Sequence, residues 1–326
     1  MSVPKISSLL ICCLAFACLS FVRSNAQTDT IAKNSVADGS NLNPASPEQF
    51  SYKPHLVAKL DKEINETSGL ISINGQLWTI NDGGNPARLF QIDTTTGKIL
   101  RKITVANAVN TDWEGITQDD SSIYIGDFGN NYGNRKDLHI LKITKSDLFN
   151  HDNDPVEAGF IYFSYPDQND FNRTPNATNF DCEAFFCLND SLHIFSKNWL
   201  DLKTRHYVIP SKPGSYEAIF VEEFEADGLI TDASINEQGN ILLLGYKNTG
   251  GKFWHCFCWL LSDYGGSRFF DSNTIRLELG SASHLGQSEG IVFSNENTAL
   301  LSSESIRIGC LHRQAKLFRI NLSKYF

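Results

Sequence analysis

The sequence predicts an all-β fold built from one repeated four-stranded sheet. A short motif recurs five times, as "ETSGLISI" at 66, "TDWEGITQ" at 111, "FDCEAFFC" at 180, "ITDASINE" at 230 and "QSEGIVFS" at 287. Each copy is followed by a turn and two further short apolar runs, and a helical period is almost absent. Four antiparallel strands repeated about every 45–70 residues predict a β-propeller.

The repeats predict five blades and a ring that is closed by both ends of the chain. The first four copies have a fourth apolar run, whereas the fifth stops at Phe326 without one. The segment "PHLVAKL" (54–60) precedes the first copy and can supply the missing strand. We therefore expect it to pair with "KLFRIN" (316–321), which would remove an open sheet edge. A six-bladed ring is the alternative, if the long connection around 165–180 contains a weak blade.

The first 48 residues are predicted to lie outside the propeller. Residues 1–26 combine Lys5, an apolar stretch and small residues before Gln27, as in a cleaved signal peptide. Residues 27–48 are polar and lack aromatic side chains, which is typical of a flexible linker, and 49–326 form the propeller domain. We expect an exported protein without a membrane span after signal removal. It would be periplasmic, secreted or outer-membrane associated, with lipid attachment at Cys18 as an alternative to soluble export.

The predicted mature chain is acidic. It has 37 Asp and Glu residues against 28 Lys and Arg residues, of which 26 remain once Lys5 and Arg23 leave with the signal peptide, a balance of −11. This charge argues against nucleic acid as a partner and favours cations or neutral ligands. We expect a monomer that binds a small molecule or a protein. The cysteines left after residue 26 number five, so they cannot all pair in disulfides.

The recurring motif predicts a ring of carboxylates at one mouth of the central channel. The first strand of each propeller blade lines the channel and begins at that mouth, where the second strand ends. Aligning the five copies puts Glu114, Glu183 and Glu289 in one column, with Ser68 and Ala233 in the other two blades. We expect this mouth to be solvated and to hold the three glutamates as candidate metal ligands.

Loops rich in Gly and Asn leave the second strands at the same mouth, notably "NDGGNPA" (81–87) and "GDFGNNYGNR" (126–135). Such residues tolerate left-handed backbone and offer amide groups to a ligand. Polar groups that converge on one concave mouth are the default binding-site hypothesis. The candidate ligand-binding residues are Asn81, Asp82, Asp112, Asp127, Asn130, Asn131, Arg135, Lys197, Asn198 and Lys247.

Two interpretations of the acidic residues stay open. Aspartates that open propeller strands often cap backbone N–H groups of a neighbouring blade, which would account for Asp112 and Asp181. Three glutamates directed into one narrow channel are less easily explained, because close like charges either raise a pKa or recruit a cation. Oxygen ligands without His or Cys favour Ca²⁺ over a transition metal. If the glutamates recruit a cation, Ca²⁺ is therefore the expected cofactor.

The motifs "SGLISINGQLWTINDGG", "DWEGI", "GDFGNNYGNR" and "SEGIVF" resemble those of secreted bacterial β-propellers of the SdiA-regulated and phytase-like esterase type, which are related to NHL-repeat propellers. The resemblance extends over about 54–326 and implies an acidic, calcium-binding channel mouth. The fourth copy departs from the pattern, because "TDASI" places its acid at Asp232 and leaves Ala233 in the glutamate column.

Two functions follow from these observations. The first is a binding module that holds a ligand or protein partner at the acidic, loop-rich mouth. The alternative is a calcium-dependent hydrolase of a phosphoester or ester, in which the cation acts as Lewis acid and a channel carboxylate as general base. We favour the binding function, because the sequence shows neither an evident nucleophile nor an acid–base pair.

Overall fold

A computed structural model describes residues 47–150, 154–250, 254–308 and 311–326. The predicted signal peptide, nearly all of the predicted linker and Cys310 lie outside these residues. The elements in chain order are β1 (Glu48–Ser51), β2 (His55–Lys59), β3 (Thr67–Ile73), β4 (Gln76–Asn81), β5 (Arg88–Ile92), β6 (Ile99–Thr104), β7 (Trp113–Gln118), β8 (Ser122–Asp127), β9 (His139–Thr144), α1 (Lys145–Phe149), β10 (Gly159–Ser164), β11 (Asp181–Leu188), β12 (Ser191–Lys197), β13 (Thr204–Pro210), β14 (Gly214–Glu217), β15 (Ile219–Phe224), β16 (Leu229–Ile235), β17 (Ile241–Lys247), β18 (His255–Ser262), β19 (Asn273–Ser281), α2 (Ala282–Leu285), β20 (Ser288–Asn295), β21 (Thr298–Ser303), β22 (Ile306–Ile308), β23 (Leu311–Arg313) and β24 (Lys316–Asn321).

The strands form five antiparallel blades, which confirms the predicted number. Blade one contains β3 to β6, blade two β7 to β10, blade three β11, β12, β13 and β15, and blade four β16 to β19. Blade five contains β20, β21, β24 and β2. Residues 165–180 contain no strand, so the six-bladed alternative is wrong. The short hairpin of β22 and β23 lies between β21 and β24 in the chain.

The first strands of the five blades surround the central channel. In this inner ring β3 contacts β7, β7 contacts β11, β11 contacts β16, β16 contacts β20, and β20 returns to β3. The second strand of each blade runs antiparallel to the first, as in the pairing of Trp113 with Asp127. The starts of the first strands and the ends of the second strands therefore meet at one face, as expected from the repeats.

Ring closure occurs as the sequence predicts. The outer strand of blade five is β2, which pairs antiparallel with β24 in the register Lys59 with Lys316 and His55 with Arg319. Three strands of this blade follow β19 in the chain and one precedes β3, so the first and last parts of the propeller share one sheet. This pairing covers the edge that β24 would otherwise expose.

Two additional strands lengthen the outer edges of blades. Strand β1 pairs parallel with β19 of blade four, and β14 pairs parallel with β10 of blade two. Neither was predicted, because their sequences are polar and the pairing is parallel and distant in the chain. All four residues of β1 are exposed, so this strand buries little apolar surface. It begins at Glu48, which is the last residue of the predicted linker.

Apolar clusters fill the interfaces between neighbouring blades. Between blades one and two, Trp113 and Trp78 are fully buried among isoleucine side chains of both sheets. Trp113 therefore packs as a wedge between blades and is not exposed to a ligand. Cys256 and Cys258 share one face of β18 in another such cluster. The four cysteines among the described residues, Cys182, Cys187, Cys256 and Cys258, are buried and free.

The two helices are short, and each begins at a hydroxyl cap. Thr144 accepts a hydrogen bond from the N–H of Asp147 at the start of α1, and Ser281 accepts one from Ser283 at the start of α2, both over 3.2 Å. The helices have five and four residues. Across the described part of the chain, neither reaches the length and apolar character of a membrane-spanning helix.

We predict that removing β2 is costly and that removing β1 is not. A chain that begins at Leu60 loses the strand that covers the β24 edge, so we expect a lower melting temperature and self-association. Of the described residues, a chain that begins at Tyr52 loses only the exposed 47–51 and keeps the Tyr52 hydroxyl 2.7 Å from the N–H of Asn321. Thermal melts and analytical ultracentrifugation compare the two. Equal melts and a monomeric Leu60 chain would contradict this account of closure.

Candidate functional site

Each inner strand contains one extra residue near its start, and this feature sets the ring of side chains at the mouth. The register of the first strand against the second shifts by one residue in all five blades, as in a β-bulge. The extra residues are Gly69, Glu114, Glu183, Thr231 and Glu289. The structure thus confirms the alignment of the three glutamates and corrects the other two positions, which the sequence alignment assigned to Ser68 and Ala233.

The two remaining extra residues explain why the ring is not symmetric. Gly69 has a positive φ of 71°, and a Cβ there would meet the backbone nitrogen of Ile116 on β7. Thr231 donates its hydroxyl to the carbonyl of Ser288 over 2.9 Å and thereby connects β16 to β20. In blades one and four, close contact between inner strands therefore occupies the place that a glutamate takes in the other three.

The three glutamates are buried, which corrects the expectation of a solvated mouth. The exposed fractions of Glu114, Glu183 and Glu289 are 6%, 4% and 6%. The physical reason is that the inner strands converge and the loops after the second strands cover them. Gly129 of the loop after β8 lies so close that a Cβ on it would meet the Glu114 carboxylate. Water is therefore largely excluded from the three glutamates, and it screens the repulsion between their charges only weakly.

Asp82, Asp112 and Glu114 form the most compact carboxylate cluster of the described residues. One oxygen from each lies within 4.8 Å of the others. The cluster joins two blades, because Asp82 follows β4 while the other two belong to the β7 segment. Gly83 and Gly129 flank it, and a Cβ at either would meet the Asp112 carboxylate. The glycine-rich loops therefore allow the backbone to close around three acids.

Burial and like charge raise the pKa of each acid in this cluster. Burial is the larger cause for Asp82, followed by the charge of Asp112, and together they raise its pKa to about 8. Burial and the charge of Asp181 raise the pKa of Asp112 to about 7, although Arg135 opposes the shift. The pKa of Glu114 lies well above its ordinary value, from burial and the charge of Asp82. Near neutral pH the cluster must take up protons or a cation.

Lys197 ends β12 of blade three and forms a buried ion pair with Glu183. Its ammonium lies 5.0 Å from the Trp199 ring centre and 5.3 Å from that of Tyr246. Burial opposes the lysine charge, but Glu183 and the phenol of Tyr246 outweigh it and hold the pKa of Lys197 well above its usual range. The second carboxylate oxygen of Glu183, Oε2, is buried without a hydrogen-bond partner.

Further acids add to the negative potential of the mouth. Burial, followed by the charge of Glu289, raises the pKa of Glu304 well above its usual value. Glu66 accepts a hydrogen bond from Asn85 over 2.6 Å, and Gln287 donates to Glu289. Glu66 opens the first copy of the recurring motif, and Glu304 directly follows β21. Lys197 is the one lysine that the structure brings among the described acids here, so the mouth as a whole is negative.

Asp181 differs from Asp112 although both precede a glutamate of the ring by two residues. Asp181 accepts hydrogen bonds from the N–H of Asn130 over 2.6 Å, from the N–H of Cys182 over 3.0 Å and from the indole of Trp199 over 2.8 Å. It therefore caps the loop of the neighbouring blade, as one sequence interpretation proposed. The carboxylate of Asp112 has no hydrogen-bond donor among the described residues and contributes to the acidic cluster instead.

Asp232 is also structural, and it explains the departure of the fourth repeat. Its carboxylate accepts the N–H of Ala233 over 2.8 Å and that of Ile291 on β20 over 2.6 Å. It is 1% exposed. Asp232, the acid of the fourth copy, therefore joins the inner strands β16 and β20 and does not belong to the ring of glutamates.

Three other predicted ligand-binding residues hold the loop after β8. Asp127 is fully buried, accepts the N–H groups of Thr111 and Asp112 over 3.0 and 3.2 Å, and pairs with Arg135 over 2.8 Å. Arg135 also donates to the carbonyl of Gly129 over 2.9 Å. Asn130 accepts the N–H of Arg135 and donates to the carbonyl of Phe180. These residues fix the loop over the acidic cluster.

The remaining predicted residues have separate partners. Asn81 donates to the carbonyl of Glu63 over 2.7 Å, and Asn198 donates to Asp201 over 2.9 Å. Lys247 pairs with Asp227, in the loop before β16. The side-chain oxygen of Asn131 is buried without a hydrogen-bond partner. Of the sequence candidates, the structure thus gathers Asp82, Asp112, Glu114, Glu183, Glu289 and Lys197 at the mouth.

The fold and site define this chain as a five-bladed β-propeller with an acidic channel mouth. No protein-family model and no curated protein matches the chain. The aldose sugar dehydrogenase of Streptomyces coelicolor in its PQQ-bound form is similar with 11% identity and a TM-score of 0.43, over 82% of this chain and 97% of that chain. The α-L-arabinofuranosidase of Podospora anserina in complex with cellotriose has 10% identity and a TM-score of 0.43, over 85% and 99%. At these values neither likeness carries an argument about this chain.

We predict opposite roles for the two aspartates in stability. Asp181→Ala leaves the N–H of Asn130 and the indole of Trp199 without an acceptor, so we expect the free energy of unfolding to fall by about 2–4 kcal/mol. Asp112→Ala, measured in EDTA, relieves like-charge repulsion and should change it by less than about 1 kcal/mol or raise it. Urea unfolding at pH 7.5 measures both. An equal loss in the two variants would refute the distinction.

We also predict that metal-free protein becomes less stable as the pH rises from about 4 to about 8. The folded pKa values of Asp82 and Asp112, about 8 and about 7, lie above the unfolded value of 3.8. In this window the folded state holds protons that the unfolded state has released, so stability falls by at most about 1.4 kcal/mol per pH unit for each proton. Asp82→Asn should reduce the slope in urea unfolding with EDTA. A slope that is flat in the wild type would contradict the raised pKa values.

Proposed function

We propose that this protein is an exported five-bladed propeller that binds Ca²⁺ at its acidic mouth and uses the site to hold a ligand or partner. The observation that carries the proposal is the cluster of Asp82, Asp112 and Glu114, whose oxygens lie within 4.8 Å of one another in a half-buried to buried setting. Like charges at that distance are unfavourable when water is scarce. A divalent cation would replace this repulsion with attraction.

The unpartnered Oε2 of Glu183 is a second, independent observation in favour of a cation at the mouth. A buried carboxylate oxygen without a donor costs free energy, and such groups usually have a partner. Lys197 satisfies only the other oxygen of this carboxylate. A cation at the mouth, or water bound to one, would supply the missing partner.

Calcium fits the chemistry of the site better than a transition metal. The three clustered side chains are carboxylates, and the free cysteines of the described segments are buried in blade packing. Ca²⁺ takes 6–8 oxygen ligands in flexible geometry, so three carboxylates leave positions for water, amide oxygens and the oxygens of a ligand. Transition metals favour nitrogen or sulfur ligands, and the cluster offers neither.

The bound cation would determine which ligands the mouth accepts. Without it, Asp82, Asp112, Glu114, Glu289 and Glu304 outnumber Lys197, whose charge is engaged by Glu183. An anionic or oxygen-rich ligand would be repelled by the empty mouth and bound when calcium is present. The loops after β4 and β8 surround the cluster and would supply backbone contacts. Loops held on a rigid scaffold are a common location for binding.

We also propose that the chain is related to SdiA-regulated and phytase-like propellers, as the sequence motifs indicate. The hydrolase alternative uses the same cation as a Lewis acid, so calcium binding is a requirement of both functions. We favour binding, because the structure explains Asp127, Asp181 and Asp232 through hydrogen bonds to backbone N–H groups and not through an acid–base pair.

We predict that calcium raises the melting temperature of the mature protein, whose N-terminus we expect at Gln27 by sequencing. A ligand that binds only the folded state at a hundredfold excess over its Kd stabilises it by about 2.7 kcal/mol, or several degrees. Glu114→Gln and Asp112→Asn remove one cluster charge each and should abolish most of the calcium effect. Differential scanning fluorimetry with EDTA and with calcium measures the shift.

Glu237→Gln is the matched control, since Glu237 is an exposed acid in the turn between β16 and β17. It removes the same charge outside the mouth and should keep the full calcium shift. In EDTA, Glu114→Gln should be at least as stable as the wild type, because repulsion falls. The cation proposal is wrong if calcium leaves the melting temperature of the wild type unchanged and its titration into the protein releases or absorbs no binding heat.

A further inference from the structure

A cavity of about 400 Å³ opens on the same face as the acidic mouth. It lies where the long connection from β10 to β11 meets the loops after β8 and β12. This connection, residues 165–180, contains no helix or strand. Loops of this length inside a compact domain are usually functional. The cavity is lined by Gly133, Asp167, Asp170, Asn172, Ala177, Thr178, Asn179, Phe180, Leu200 and Arg205.

One wall of the cavity is fixed by hydrogen bonds between two loops. Gln168 is buried and donates to the carbonyl of Gly133 over 2.9 Å. The N–H of Thr174 donates to the carbonyl of Tyr132 over 3.1 Å, and the N–H of Asn176 donates to Asn131 over 2.8 Å. These contacts hold the long connection against the loop after β8, so the cavity is present before any ligand binds.

The opposite wall is held by the loop after β12. The N–H of Trp199 donates to the carbonyl of Thr178 over 3.0 Å, and the N–H of Leu200 donates to Oδ1 of Asn179 over 3.0 Å. The amide nitrogen of Asn179 donates to Asp201 over 2.7 Å. A preformed cavity reduces the entropy cost of ordering side chains around a ligand.

The charges of the cavity argue against an anionic ligand. Arg205 is its one cationic lining residue, and its Nε donates to Glu223 over 3.1 Å. Its other two nitrogens lie 3.7 Å from Asp167 and 4.0 Å from Asp201, beyond direct hydrogen-bond length. The guanidinium charge is therefore balanced by carboxylates, and the group also contacts the hydroxyl of Tyr207 and the ring of Phe180.

The lining alternates donors and acceptors around an apolar surface. Asp167 and Asp170 accept hydrogen bonds, Asn172 can do both, and Arg205 donates. Phe180 is half-buried, and Leu200 at the rim is 66% exposed. A ligand that satisfies this lining must carry several hydroxyl groups and also an apolar C–H face. An apolar ligand would leave the carboxylates and amides without partners.

We propose that this cavity binds a neutral saccharide of one or two sugar rings, with its C–H face toward Phe180 and Leu200 and its hydroxyls toward Asp167, Asp170, Asn172 and Arg205. The volume lies within the usual range for small-molecule sites. The site goes beyond the proposed calcium function. Its lining residues are not those of the carboxylate cluster, so saccharide binding does not require the cation.

The test is saturation-transfer NMR on the full protein with glucose, galactose, mannose, xylose, cellobiose and maltose, each with EDTA and with calcium. We expect at least one saccharide to bind with a Kd on the order of 1 mM. This value agrees with the binding free energy per non-hydrogen atom of small ligands. Phe180→Leu keeps an apolar side chain without the flat ring and should weaken binding about tenfold. Asp167→Asn keeps one acceptor oxygen for the hydroxyl of Tyr207 and should weaken saccharide binding as well.

Phe220→Leu is the matched control, because Phe220 is 47% exposed on β15 and does not line the cavity. It should leave saccharide binding unchanged. Absence of binding by all six saccharides at 20 mM, or equal binding by the Phe180→Leu and Phe220→Leu proteins, would overturn the proposal. Binding of tetramethylammonium in preference to every saccharide would also overturn it and assign the cavity to cations. The test of calcium binding and the test of saccharide binding can fail independently. The measurement in EDTA reports on the cavity alone, because no calcium is bound.

Discussion

Closure of five blades into one ring brings the first strand of every blade to a common axis, and the electrostatics of the mouth depend on this constraint. The inner strands β3, β7, β11, β16 and β20 contact one another in sequence around the channel. In three of them the extra residue near the strand start is a glutamate. The ring therefore concentrates negative charge where the loops leave little room for water, and burial raises the pKa of each glutamate.

The protein compensates most of these acids individually and leaves one group only partly compensated. Asp181 and Asp232 accept hydrogen bonds from N–H groups of neighbouring strands and loops, and Glu183 pairs with Lys197. Asp82 and Glu114 repel each other and Asp112, and the charges of Arg135 and Lys197 offset only part of the negative charge. A cluster whose carboxylates still raise one another's pKa is what a cation site requires before its ion binds. The same reasoning separates structural acids from candidate ligands elsewhere in the mouth.

The loop after β8 contributes to both proposed sites. Gly129 lies against the acidic cluster, and Gly133 lines the neighbouring cavity. Between them Asn130 is held by Asp181, and the end of the loop is held by the ion pair of Arg135 with Asp127. A loop fixed at several points can present two binding surfaces without paying ordering entropy at either. Gly129 and Gly133 allow the loop to pack closely against the acidic cluster and beside the cavity.

The sequence by itself determined the repeat, the closing pair β2 and β24, and the three glutamates of the ring, because alternation, turn residues and motif spacing are local properties. It favoured five blades, and the absence of a strand in residues 165–180 then excluded a sixth. It did not determine that Gly69 and Thr231 complete the ring, since a one-residue register shift appears only when strands pair. Nor could it separate Asp112 from Asp181, whose local sequences are alike. Only the tertiary structure decided this, by placing the N–H of Asn130 and the indole of Trp199 against one carboxylate and two other acids near the other.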